Sequence, residues 1–147
     1  LARLDRRRAP AGRDAARSGE RRRRLVLAGL DHVQVAAPPG CEQEARRFYG
    51  ELLGLDEVAK PASLAAAGGV WFACGAQGLH VGVAEDCAPA TKAHPGLRVT
   101  NSAALDELAE RLRAAGAPVE RDDRLPGHRR FYTRDPWGNR VELLARA

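Results

Sequence analysis

Three pairs of residues in this chain share one offset: His32 and His94, Gly54 and Gly116, and His80 and Glu142 each stand 62 positions apart. An offset common to two glycines and to four side chains able to ligate a metal points to two consecutive halves that fold alike. The pattern between the pairs repeats as well. Both histidines open apolar alternating runs, Asp31-His32-Val33-Gln34-Val35-Ala36 and His94-Pro95-Gly96-Leu97-Arg98-Val99. A helical segment follows each run and ends at one of the paired glycines, where a helix C′ residue needs a positive φ. The halves close on Gly78-Leu79-His80-Val81-Gly82-Val83 and Arg140-Val141-Glu142-Leu143-Leu144, with His80 and Glu142 in the same register. Side-chain identity between the halves is otherwise low, so the order strand-helix-strand-strand-strand, met twice, carries the duplication.

Along the first half, residues 30–37 alternate as a strand that Pro38-Pro39-Gly40 ends, since proline has no donor for the ladder. Ala45, Phe48, Leu52 and Leu53 recur at helical spacing and predict a helix over 41–53, with Glu42 and Glu44 near its positive end. Residues 55–59 and 69–74 read as strands, and 61–67 as an irregular connection. Residues 85–93, charged and interrupted by Pro89, have the composition of a linker. The second half then predicts a helix over 103–115, apolar at Leu105, Leu108 and Leu112, with Asn101 or Ser102 as its N-cap. Strands are expected at 118–122 and 129–134, and Asp135-Pro136-Trp137-Gly138-Asn139 as a tight turn before the last strand.

At 147 residues the chain suffices for one domain with its own core. Its basic character is local. Residues 1–29 hold ten arginines and three acidic residues, a net +7, whereas residues 30–147 hold 14 basic and 16 acidic, a net −2. A specific nucleic-acid partner is therefore not expected, because a folded binding domain would carry its own basic face. Residues 1–29, poor in aromatic and β-branched side chains, read as a disordered tail. The run Arg21 to Arg24 precedes too few apolar residues for a secretory h-region, and no stretch is long enough to span a membrane. Cys41, Cys74 and Cys87 are odd in number and lack paired spacing, which suits reduced thiols and a cytoplasmic location.

Alternation along strands puts His32 on one face with Gln34, His80 with Gly82, His94 with Gly96 and Arg98, and Glu142 with Arg140 and Leu144. If the halves pair about a pseudo-twofold axis, His32, His80, His94 and Glu142 converge. Three neutral imidazoles and a carboxylate suit a divalent ion of intermediate softness, Zn, Ni, Co, Mn or Fe, among which the residues do not choose. A carboxylate facing inward from the apolar strand around Glu142 also needs a partner. Against this stands the ordinary fate of a strand histidine, hydrogen-bonded or half-exposed, which is the expectation for His128 beside its Pro126-Gly127 turn. Arg98 is a candidate anchor for an anionic substrate or a plain surface residue. Gln34, Trp71 and Tyr132 are candidates for substrate contact, with core packing the alternative for the two aromatics.

Leu30-Asp31-His32-Val33, Phe48-Tyr49-Gly50-Glu51-Leu52-Leu53-Gly54-Leu55 and Asp135-Pro136-Trp137-Gly138-Asn139-Arg140-Val141-Glu142-Leu143 together resemble the vicinal oxygen chelate superfamily. That superfamily includes glyoxalase I, extradiol dioxygenases, and fosfomycin and bleomycin resistance proteins. The resemblance covers about residues 30–146. It implies an α+β fold of two paired βαβββ modules, about 30–84 and 94–146, forming a curved eight-stranded mixed sheet around a central cavity. It also implies a metal with open positions for vicinal substrate oxygens, and a homodimer. His32, His94 and Glu142 match the ligands shared by the dioxygenase and fosfomycin branches. His80 matches the fourth position used in glyoxalase I, where the family resembles a glutamate, so the chain departs from that pattern there. The reading that follows is a glyoxalase-like lyase or isomerase with Glu142 as its base. The alternatives are an extradiol-dioxygenase-like Fe(II) enzyme and a metal-free protein that sequesters a small molecule or antibiotic.

Overall fold

The computed structural model describes residues 26–147. Residues 1–25, most of the segment expected as a disordered tail, lie outside the described residues. Val26, Leu27 and Leu30, which precede the first strand, are exposed and belong to no regular element.

The first half runs β1 (His32–Ala37), α1 (Glu42–Ala45) continuing directly as a π-helix (Arg46–Leu52), β2 (Asp56–Val58), a 3-10 segment (Ala62–Ala67), β3 (Val70–Cys74) and β4 (Gln77–Val83). The second half runs β5 (Gly96–Arg98), α2 (Ser102–Ala114), β6 (Glu120–Arg121), β7 (His128–Arg134) and β8 (Arg140–Arg146). In each half the first strand pairs parallel with the last, and the remaining pairs are antiparallel, giving the orders β1-β4-β3-β2 and β5-β8-β7-β6. The fold class is thus α+β with βαβββ met twice.

The eight strands are shared between two four-stranded mixed sheets, and the outer edges of β1 and β5 pair with no other described strand. Two expectations need correction. The strand expected from His94 begins at Gly96, since Pro95 has no N–H to donate and contributes only its carbonyl, which accepts from Glu142 N at 3.0 Å. The helix expected over 41–53 is α-helical for only its first turn.

That last difference shows in the caps. Gly54 and Gly116 have φ of 77° and 79°, as the repeat requires. After α2 the bonds Ala117 N to Leu112 O and Gly116 N to Arg113 O make a Schellman cap, both at 2.9 Å. After the π-helix the equivalent bonds, Leu55 N to Tyr49 O and Gly54 N to Gly50 O, each reach one residue further back. The wider turn buries the consecutive rings of Phe48 and Tyr49 together. At the other end of α2, Asn101 Oδ1 accepts from Ala104 N at 2.9 Å, and Leu105, Leu108, Ala109 and Leu112 form the buried stripe.

One core serves both halves. Val35, Phe72, Leu79 and Val81 of the first sheet join Phe131, Val141 and Leu143 of the second, with Phe48, Tyr49 and the α2 stripe. The strand residues between them in sequence point to the opposite faces, so the apolar face of each sheet is the helix side and its other face is left for chemistry.

A polar cluster pins the halves together. Asp135 Oδ1 accepts from Asn139 N (2.8 Å) and Trp137 N (3.1 Å), and Oδ2 accepts from Tyr49 Oη (2.9 Å) and Asn139 Nδ2 (2.7 Å). Asn139 Nδ2 also donates to Ala36 O at 2.7 Å. The turn of the second half is thereby tied to the π-helix and to β1. Burial, followed by the Asp135 charge, holds the Tyr49 phenol well above its ordinary range, so it stays a neutral donor. Tyr49→Phe removes one of the two bonds to Oδ2 and is expected to lower unfolding free energy by about 1–2 kcal/mol. Urea denaturation of the two proteins measures it, and equal midpoints would show that the cluster holds without its tyrosine.

Candidate functional site

On the face of the first sheet turned away from the core, three rings lie in a row across β3, β4 and β1. Trp71 and His80 are direct cross-strand partners, their ring centroids 4.0 Å apart and nearly parallel. His32 stacks on the other side of His80 at 4.3 Å. The partner of His32 in the ladder is Gly78, and a Cβ there would stand 2.9 Å from His80 Nε2 and 3.2 Å from His32 Cβ. Only a residue without a side chain leaves the two imidazoles this close. Gln34 is opposite His80 and lies over Gly82.

The electrostatics of this trio favour a neutral His80. Burial, then the neighbouring His32, pushes the His80 pKa below its ordinary value, so its imidazole keeps a lone pair at neutral pH. His32 Nδ1 stands 2.7 Å from Asp31 Oδ1, which fixes the proton on Nδ1 and leaves Nε2 as the donor atom.

The equivalent face of the second sheet carries a different set. The hairpin register that pairs Arg134 with Arg140 sets Tyr132 opposite Glu142, and Glu142 is opposite Gly96 on β5. His94, just before β5, has Nε2 3.2 Å from Glu142 Oε2. Its Nδ1 is 2.7 Å from the Lys92 carbonyl, an acceptor that requires the proton on Nδ1. In the neutral ring, Nε2 and Oε2 are then two lone-pair donors facing one another, an arrangement that calls for a cation or a proton between them. Two ligands of one divalent ion, each about 2.0–2.2 Å from it, are roughly 3–3.5 Å apart at tetrahedral or octahedral angles. The observed separation fits. Gly96 again leaves the room: a Cβ there would be 3.3 Å from Glu142 Oε2.

Glu142 is held on its other oxygen. Arg130 Nη1 donates to Oε1 at 2.8 Å, and the same guanidinium reaches Asp122 Oδ2 at 3.2 Å, while Arg124 grips Asp122 through both oxygens. The result is a chain of alternating charges, Glu142, Arg130, Asp122, Arg124, that fixes which carboxylate oxygen faces His94. Tyr132 is the hub beside it, taking the His94 ring edge-on at 5.3 Å and the Arg140 guanidinium on its face at 3.7 Å.

The four ligand candidates therefore meet as two pairs, His32 with His80 and His94 with Glu142. Among the described residues, no group of three or more His, Cys, Asp or Glu gathers within one chain. Of the substrate-contact candidates, Trp71 and Tyr132 are on these faces beside the pairs and not in the apolar core cluster, and Arg98 is exposed. Together with His94, Arg98 lines a cavity of about 810 Å3 between the starts of β1, β4 and β5. His128 is half-buried with Nδ1 3.2 Å from the Pro126 carbonyl, away from both pairs.

Sequence reasoning missed Arg130 and Gly78. Alternation put Arg140 with Glu142, yet only the hairpin register reveals that Tyr132 lies beneath its guanidinium and that Arg130 stands diagonal to the carboxylate.

Residues 29–143 match the Glyoxalase/Bleomycin resistance protein/Dioxygenase superfamily, and the chain belongs to it. A protein from Bacillus anthracis described as a glyoxalase family member is 46% identical, with a TM-score of 0.79 over 84% of this chain and 99% of that one. Lactoylglutathione lyase from Agrobacterium tumefaciens is 27% identical, with a TM-score of 0.63 over 82% and 95%. A variant of the fosfomycin resistance protein FosX from Listeria monocytogenes, solved with Mn(II) and a dihydroxypropylphosphonic acid, shares the fold at 20% identity and a TM-score of 0.68 over 82% and 94%. No curated protein sequence matches the chain. No helix among the described residues is long and apolar enough to cross a membrane.

The charge chain predicts a pH dependence of stability. The side chain of Arg124, then its backbone N–H, holds the Asp122 carboxyl well below the usual carboxylate range, with Arg130 adding to it. A folded-state pKa below the unfolded value of about 3.9 contributes stability that is complete above that value and is lost as pH falls toward the folded pKa. Asp122→Asn is thus expected to be less stable than the parent protein at pH 7, with the gap narrowing as pH drops below about 4. Urea unfolding of both proteins across that range measures it; a gap unchanged by acid would mean the Asp122 charge carries none of the effect.

Proposed function

We propose that the protein is a divalent-metal-dependent lyase or isomerase of glyoxalase-like type, acting on a small substrate with oxygens on neighbouring carbons. His32, His80, His94 and Glu142 are its metal ligands in this reading. The observation that carries it is the 3.2 Å approach of His94 Nε2 to Glu142 Oε2, with the other nitrogen of the ring committed to a carbonyl. The tautomer-fixing contact of His32 with Asp31 and the lowered pKa of His80 support the other two ligands. Divalent Mn in the FosX structure of the same fold agrees with this donor set.

The ion would supply Lewis acidity toward a developing oxyanion. The protein supplies the rest. Arg130 holds Oε1, so Oε2 of Glu142, once released from the ion, would be the atom that takes a proton from the carbon beside the substrate carbonyl and returns it to the neighbouring carbon. Trp71, Gln34 and Tyr132 wall the substrate, and Arg98, which lines a cavity with His94, contacts it at its rim. Because each chain offers the ligands as two pairs on separate sheets, we infer a homodimer in which His32 and His80 of one copy meet His94 and Glu142 of the other.

Metal-free protein titrated with Mn, Ni, Co, Zn or Fe(II) is expected to gain about 2.7 kcal/mol of stability at a hundredfold excess over Kd, and Glu142→Gln or His94→Ala to abolish most of that gain. Mixing His32→Ala with Glu142→Gln should restore one intact site per mixed dimer, measured as metal uptake; no recovery would place the site within one chain. Oxygen consumption with catechol in the Fe(II) form would replace this reading with a dioxygenase. Absence of both metal uptake and thermal stabilisation would replace it with a sequestering protein.

A further inference from the structure

Arg140 is a basic side chain on the Glu142 face of β8 that forms no ion pair among the described residues, although Glu120, Asp122 and Asp123 line the same cavity. Arg130 is bound to Glu142 and Asp122, Arg124 to Asp122, and Arg129 to Asp106. Arg140 is half-buried, and among the described residues its guanidinium makes no hydrogen bond and no ion pair. Its guanidinium lies on the face of Tyr132, at 3.7 Å from Cζ to the ring centroid. Glu120 lies opposite Tyr132 in the ladder and lines the same cavity of about 370 Å3, with no bond to Arg140.

Stacking on an aromatic ring covers one face of a guanidinium and leaves its in-plane N–H donors free, fixed in direction by the ring below. Such an edge matches a carboxylate, which accepts two parallel N–H bonds in that plane. The location matters as much as the chemistry. Tyr132 also touches His94, so the Arg140 guanidinium and the His94 ring are no more than 9.0 Å apart, the sum of their separations from the tyrosine centroid. Arg140 and Glu142 share one face of β8.

We propose that Arg140, laid on Tyr132, is a carboxylate-binding site, and that the substrate is a hydroxy, oxo or dihydroxy compound bearing a carboxylate a few bonds from its paired oxygens. The second half of this inference rests on the metal-dependent reading above; the first half stands without it.

Metal-free protein titrated with benzoate, benzamide and inorganic phosphate, followed by the arginine Nε–Hε resonances, tests the site alone. Benzoate is expected to shift one arginine resonance that is missing from Arg140→Gln, and benzamide to shift none. Benzoate affinity should fall about ten- to hundredfold in Arg140→Gln, and Arg140→Lys should lie between the two. Equal benzoate binding by parent and Arg140→Gln, or none by either, overturns the proposal, and a preference for phosphate overturns the carboxylate class. In Mn(II)-loaded protein, 3,4-dihydroxybenzoate should bind more tightly than catechol, with the advantage lost in Arg140→Gln. Catechol bound as tightly as its acid overturns the link to the substrate and leaves the metal reading standing. Benzoate bound at Arg140 in protein that takes up no metal supports the anion site and removes the metal reading.

Discussion

The carboxylate of Asp135 is the constraint on which the arrangement of the halves depends. Four donors saturate it, two from the backbone of its own turn and two from the side chains of Tyr49 and Asn139. A buried carboxylate stripped of those partners would be strongly destabilising, so the closed turn is most stable where Tyr49 meets it. β8 starts one residue after Asn139, and the ladder then carries Arg140 and Glu142 to fixed heights on its face. The position of the acidic ligand candidate is thus set by a polar cluster on the far side of the sheet.

Each sheet separates its two tasks by alternation. One face supplies Val, Leu and Phe to the shared core; the other is lined by His, Gln and Trp in the first half and by Glu, Tyr and Arg in the second. The halves reach stable but opposite electrostatic solutions. In the first, burial and a neighbouring imidazole keep His80 uncharged, and flat rings satisfy one another by stacking. In the second, a carboxylate remains buried because a chain of guanidinium and carboxylate groups leads its charge toward the surface at Arg124.

Much of the fold was legible because backbone rules are local. The 62-residue offset located both glycine caps, and alternation assigned each strand its faces. The π-helix was not legible, since Ala45, Phe48 and Leu52 have the same spacing in either helix type and only the caps distinguish them. The separation into two sheets was also hidden, because sequence marks strands and not the partners of their outer edges. At the candidate site, the shared offset and strand alternation made His32, His80, His94 and Glu142 candidates, but did not reveal that they meet as two pairs within one chain. What holds them was not legible either: Gly78 matters through space it leaves empty, and Arg130 through a diagonal contact across a hairpin.

The clamp at Asp135 exists in one half only. The positions 62 residues before Asp135 and Asn139 are Ala73 and Gln77, which can accept no such set of donors. The two halves repeat in outline, yet they are not interchangeable parts: a chain built from two copies of the first would lose the lock, and one built from two copies of the second would have Arg111 where Tyr49 receives it. Each half therefore supplies one side of a single junction, which leaves the opposite faces free to diverge in chemistry.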